Sequence, residues 1–147
     1  MIPDQNDQTI IKQLHLASNT ALRMLDRRLK PLGVSSSQYF FVLKLHDNPG
    51  VTQDQLVQAD TRHQSNVNRE ISRLVALGLV VKQQSRTDGR RYELFLTAAG
   101  AALYPQVKAA LDQQEAVLHE CLATAAGQGS QPDFMAVLHQ IAQLDTP

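Results

Sequence analysis

The 147-residue sequence has no tryptophan, a single cysteine and few aromatic residues, 5% in all. A lone thiol, Cys121, cannot close an intrachain disulfide, which sets aside the small disulfide-stapled folds. No uninterrupted apolar run approaches the roughly 18 residues of a membrane-spanning helix. The first ten residues hold no basic segment followed by an apolar one, so no signal peptide is expected. The chain is therefore expected to be soluble and cytoplasmic, with no membrane partner. Its five histidines, His15, His46, His63, His119 and His139, form neither an HxxxH pair nor a Cys/His cluster, and neither a metal site nor a cofactor is expected. A nucleophile beside a base, paired catalytic carboxylates and a Gly-rich phosphate loop are also missing, which argues against an enzyme.

Net charge is absent too, with 14 Lys and Arg balancing 14 Asp and Glu. Taken whole, that balance speaks against a nucleic-acid binder, but its distribution does not. Residues 1–61 carry six basic and six acidic residues, residues 62–91 seven basic and two acidic, and residues 92–147 one basic and six acidic. Positive charge is packed into thirty residues between a neutral segment and an acidic one,. A hydrophobic fraction of 43% with dispersed charge is globular,, and the length suits one domain, residues 1–147.

The periodicities predict a mainly α chain. Ile10, Leu14, Ala17, Ala21, Leu25 and Leu29 recur at helical spacing within an expected helix at 7–30, which Pro31 and Gly33 stop,. Ser35-Ser36-Ser37-Gln38 and Thr52-Gln53-Asp54-Gln55 both have capping-box spacing, before expected helices at 39–46 and up to 59. A further helix spans 64–77 with Gly78 as its C-terminal cap. Strands are expected at 79–84 and 91–96, joined by Arg86-Thr87-Asp88-Gly89-Arg90, where Asp-Gly is a hairpin signal. Helices at 98–125 and 133–144 complete the chain.

The helix at 64–77 carries the functional signal. Val67, Ile71 and Leu74 form a buried stripe, while Arg62, Ser65, Asn66, Arg69, Ser72 and Arg73 fall on the opposite half,. Arg can fork onto guanine and Asn onto adenine in a major groove. Immediately afterwards, Arg86, Arg90 and Arg91 surround the hairpin tip, and a narrow minor groove attracts inserted arginine through its negative potential. Double-stranded DNA is the partner these two basic projections suit. A solvated polar face, or a module that uses the basic side to engage an acidic protein, remains the alternative.

Gln64-Ser65-Asn66-Val67-Asn68-Arg69, Arg73-Leu74, Leu77-Gly78-Leu79-Val80, and Asp88-Gly89-Arg90-Arg91 running into Leu94-Phe95-Leu96-Thr97-Ala98-Ala99-Gly100 together resemble the MarR-type winged helix-turn-helix transcriptional regulators,. The resemblance implies a winged helix-turn-helix core at about 34–97, flanked by dimerisation helices at about 7–30 and 98–145. It further implies a homodimer that represses from a palindromic promoter site, as in the many relatives that release DNA when a small effector, an aromatic one included, binds. Carried onto this sequence, it puts Ser65, Asn66, Arg69, Arg73 and Arg62 at the major groove. Arg90 becomes the minor-groove arginine, oriented by Asp88, with Arg86 and Arg91 beside it. Ser35, Ser37 and Gln38 become phosphate contacts at a helix N-terminus. The family's effector pocket would draw on His15, Asn19, Tyr39 and His46. Cys121 falls on the apolar side of its helix and is expected to be a buried, unreactive thiol. The chain departs from the family pattern at Asp60-Thr61-Arg62, where an apolar-Gly-apolar corner is usual.

Overall fold

Residues 8–60, 64–125 and 131–144 are described by the computed structural model. Contacts divide the chain into two units, Met1–Ala110 and Leu111–Pro147. The division falls inside the long fifth helix.

The first unit begins with α1, Ile10–Leu29, whose N-cap Thr9 accepts a hydrogen bond from the Lys12 N–H. A single 3-10 turn, Lys30–Leu32, follows, and Gly33 at φ 78° leaves it in the left-handed region, the conformation that glycine adopts at least cost. α2 spans Tyr39–Asp47, β1 Val51–Thr52, α3 Gln53–Asp60 and α4 Gln64–Ala76. β2, Val80–Gln84, and β3, Tyr92–Leu96, form the hairpin that leads into α5, Ala98–Ala125. The sheet has three strands in the order β1-β3-β2, all antiparallel, with Val51 opposite Leu94 and Val80 opposite Leu96. The sequence led to two strands. The third is only two residues long, too short to show alternation, and it is recruited by pairing with β3.

The predicted caps take different forms. Thr52 and Gln55 make the reciprocal capping box, with Gln55 N–H donating to Thr52 Oγ1 at 3.3 Å and Thr52 N–H to Gln55 Oε1 at 2.9 Å,. At α2 the Ser35 N–H donates to Gln38 Oε1 at 3.2 Å, while Ser36 is held by Asp26 of α1 instead. Its N–H reaches Asp26 Oδ1 at 2.6 Å and its hydroxyl Asp26 Oδ2 at 3.0 Å. α4 ends in a Schellman arrangement: Gly78 has φ 74°, its N–H bonds the Val75 carbonyl, and the Leu79 N–H bonds the Leu74 carbonyl,.

Phe41, Val42, Leu45, Leu56, Val67, Ile71, Leu74, Leu94 and Val107 are almost wholly buried, and Leu25 and Leu29 of α1 join them. Each such side chain contributes roughly 1.5–3 kcal/mol by leaving water. Thr97 locks the exit of the hairpin to the end of α4. Its hydroxyl donates to the Gly78 carbonyl at 2.6 Å and accepts from the Gly100 N–H at 3.1 Å. A Cβ on Gly100 would collide with the Leu79 carbonyl oxygen, so glycine is required by that close approach.

The second unit comprises the distal part of α5 and α6, Gln131–Gln143. Among its described residues only Gln114 is buried. Val117, Phe134, Met135, Val137, Ile141 and Leu144 are exposed, and Cys121, expected to be buried, is exposed as well. The burial expected from apolar periodicity is therefore not seen, since nothing among the described residues covers Cys121. No helix among the described residues is long and apolar enough to cross a membrane.

Candidate nucleic-acid interface

α4 sets its polar side by burying the opposite one. Val67, Ile71 and Leu74 are fully buried, which fixes the roll of the helix and leaves Ser65, Asn68, Arg69, Ser72 and Arg73 exposed. Gln53 Nε2 at the start of α3 donates to Asn68 Oδ1 at 2.8 Å, so the two helices of the helix-turn-helix are tied across their polar edges. Asn66 is half-buried, and its Oδ1 accepts from Arg69 Nη2 at 3.1 Å. In the free protein, that acceptor is therefore already engaged. Arg62 lies outside the described residues.

One acid that periodicity alone did not single out organises this face. Glu70 is only 3% exposed. Its Oε1 accepts from Arg73 Nη1 at 3.0 Å and lies 3.5 Å from Arg69 Nε, and its Oε2 accepts from Gln38 Nε2 at 3.1 Å. The guanidinium ends stay accessible, with the Arg69 and Arg73 side chains 58% and 59% exposed. The signal was present in the sequence, because Glu70 lies three residues after Val67 and four before Leu74, on the buried stripe itself.

That geometry corrects the role of Gln38. The residue is buried, its carbonyl end accepts from the Ser35 N–H and its amide end donates to Glu70. It acts as a brace between α2 and α4, a role other than the phosphate contact expected of it. Ser35 is half-buried and Ser37 exposed at the same turn. Asp26, Lys30, Ser35, Gln38 and Arg73 line a groove of about 570 Å³ there.

The hairpin tip is closed by a backbone turn over Gly89 and Arg90, in which the Arg91 N–H donates to the Asp88 carbonyl at 3.0 Å, and side chains brace it. Seven residues, 85–91, separate the strands, and Gly89 is not among the glycines with positive φ, so the turn that starts at Asp88 is not the positive-φ form expected of Asp-Gly. The Ser85 hydroxyl accepts from the Thr87 and Asp88 N–H groups, and the Gln84 amide donates to the Gly89 carbonyl at 2.6 Å. Asp88 does not grip the Arg90 guanidinium as expected. Its Oδ1 accepts the Arg90 backbone N–H at 3.1 Å, and its Oδ2 lies 3.5 Å from Arg91 Nε. Asp88 thus shapes the backbone at Arg90 and pairs with Arg91. Arg86, Arg90 and Arg91 are all exposed.

The four residues proposed for an effector pocket are distributed differently. His15 and Asn19 bond each other at 3.0 Å on the exposed side of α1. His46 stacks on Tyr104 of α5, with ring centroids 3.5 Å apart, and its Nδ1 lies 3.1 Å from Asp47. Tyr39 is half-buried against the core. A separate cleft of about 500 Å³ lies between α2, β1 and α3, lined by Lys44, Asn48, Val51, Gln55 and Leu56 among others; it contains none of the four.

Comparison with known proteins places this geometry. Residues 32–91 match the model of the MarR family. The "Putative transcriptional regulatory protein for hcr operon" of Thauera aromatica is 30% identical over 83 residues, which is 56% of this chain and 50% of that relative. The match thus spans half of that curated relative's length. Among solved structures, the transcriptional repressor CouR bound to a 23-mer DNA duplex has a TM-score of 0.82 at 21% identity, over 97% of this chain and 99% of that one. BpsR of Bordetella bronchiseptica, solved to explain regulation of its DNA binding by 6-hydroxynicotinic acid, has a TM-score of 0.78 at 17% identity, over 99% of each chain. At these identities, the structural likeness establishes a common fold. The chain thus resembles the MarR family across its helix-turn-helix and the first hairpin strand, and shares the fold of these two solved proteins over nearly its whole length.

Proposed function

We propose that the protein is a sequence-specific, dimeric DNA-binding regulator of transcription rather than an enzyme, acting as a repressor on a palindromic promoter site. The observation that carries the reading is the pairing of two basic projections on one unit. α4 buries Val67, Ile71 and Leu74 while exposing Ser65, Arg69 and Arg73, and the hairpin after it exposes Arg86, Arg90 and Arg91. α4 reads base edges in the major groove, and the wing places Arg90 at the adjacent minor groove. Ser35 and Ser37 contact phosphate at the start of α2. The wing is the general attractor, and α4 is the element that distinguishes sequences.

A second copy completes the molecule. α1 exposes Ile10, Ile11, Leu16 and Leu22, and α6 exposes Phe134, Met135, Val137 and Ile141. Apolar side chains exposed in such number mark a protein interface, and two-fold symmetry of the protein matches a palindromic site. Release by a small effector is proposed by analogy with BpsR. The protein acts in the cytoplasm.

The test is a binding selection from a random duplex pool, followed by titration over a range of salt concentrations. Enrichment of a palindromic sequence, bound by a dimer with an affinity that falls steeply with salt, is the expected result. A folded dimer that binds no duplex at about 50 mM salt contradicts the reading and favours an acidic protein partner.

A further inference from the structure

Charge attraction to DNA does not require an acid beneath the arginines of α4, yet one is built there. Glu70 is 3% exposed, and both of its oxygens are engaged, one by Gln38 and the other by Arg73 with Arg69 close by. Burying a carboxylate costs desolvation that only good geometry offsets, and its charge cancels part of the positive potential that draws in phosphates. A face shaped only for affinity would do better with an apolar residue at this position.

We propose that Glu70 is a positioning residue for DNA recognition, fixing the Arg69 and Arg73 guanidinium groups on α4 and so favouring discrimination between sequences over attraction to any duplex. The inference rests on the DNA-binding reading above. Arg69 is held on two sides, its Nη2 3.1 Å from Asn66 Oδ1 and its Nε 3.5 Å from Glu70 Oε1. A side chain ordered before DNA arrives loses less freedom on binding, and its fork meets a base edge at a set angle, which discrimination requires. The anchoring continues away from α4. Gln38 braces Glu70 and closes back on Ser35, and the adjacent Ser36 is held by Asp26 of α1 at 2.6 and 3.0 Å. The arginine heads are thereby referred, bond by bond, to the end of α1.

The test compares wild type with Glu70→Gln on a duplex selected by the wild-type protein and on a shuffled duplex of the same composition. The substitution keeps the side-chain volume and an acceptor for Gln38 but removes the charge that restrains the arginines. Affinity for the selected duplex is expected to fall about tenfold, while affinity for the shuffled one holds or rises as the arginines turn to phosphates. On the shuffled duplex, the slope of log affinity against log salt then steepens by about 0.9 for each further phosphate that is neutralised. Equal losses on both duplexes would reduce Glu70 to a structural residue and overturn the proposal, as would an unchanged preference. Should Glu70→Gln fail to fold, Gln38→Met decides the matter by cutting the brace while leaving the ion pairs. A preference reduced about threefold or more at unchanged melting temperature supports positioning, and an unchanged preference overturns it. A wild-type protein that enriches no duplex refutes the DNA-binding reading itself, and this proposal with it, a result distinct from the others.

Discussion

Both basic projections contain an acid that holds arginine, and the two acids sit in opposite surroundings. On α4, the Glu70 side chain is 5% exposed and makes bonds to Gln38 and Arg73. On the wing, the Asp88 side chain is 49% exposed and lies 3.5 Å from an Arg91 side chain that is itself 72% exposed. An exposed pair is screened and contributes about 0–1 kcal/mol, whereas a buried carboxylate left without its partner is strongly destabilising, by about 3–5 kcal/mol. The same pairing of acid and arginine is thus a rigid mount on the recognition helix and a weak local restraint on the wing. The difference fits a division of labour in which α4 discriminates and the wing attracts.

The contrast can be broken first at the level of stability. Leu74→Ala, beneath α4, should cost about 2–5 kcal/mol in chemical denaturation, and Tyr92→Ala, on the exposed edge of the wing, less than about 1 kcal/mol. Comparable losses would mean that the wing is as deeply integrated as the recognition helix. Gly100→Ala, where a Cβ meets the Leu79 carbonyl oxygen, should cost about 1–3 kcal/mol by overpacking at the junction of α4, wing and α5. At Asp88, two substitutions separate turn from charge. Asp88→Asn keeps an acceptor for the Arg90 N–H and should shift stability by less than about 0.5 kcal/mol, while Asp88→Ala loses that bond too and should cost about 0.5–1.5 kcal/mol. If the two variants melt together, the Arg90 backbone bond contributes nothing. Arg90→Ala should leave the melting temperature unchanged, weaken binding to all duplexes alike and lower the salt slope by about 1.

Most of the architecture is legible in the sequence, because it is written in local chemistry. Pro31 and Gly33 end α1, Thr52 and Gln55 open α3, Gly78 closes α4, and Thr97 begins α5. Each signal acts within a few residues. What was not legible depends on partners far along the chain. β1 exists because β3, some forty residues later, offers it a ladder. Gln38 looks like a free capping side chain until Glu70, 32 residues away, takes its amide. Glu70 itself stands on the apolar stripe, where a sequence alone cannot distinguish an anchored acid from an interruption. Asp88 and Gly89 pointed correctly to a hairpin, and the Asp88 carbonyl does accept the Arg91 N–H, but the bracing bonds from Ser85 and Gln84 were not legible.

The most direct test of the central claim is the ratio of affinities for selected and shuffled duplexes, measured at one salt concentration for Arg69→Ala and Arg90→Ala. The account predicts that Arg69→Ala lowers the ratio by about 1–3 kcal/mol in free-energy terms, while Arg90→Ala weakens both duplexes and leaves it nearly unchanged. A ratio preserved in Arg69→Ala and lost in Arg90→Ala would contradict it, because discrimination would then lie in the wing.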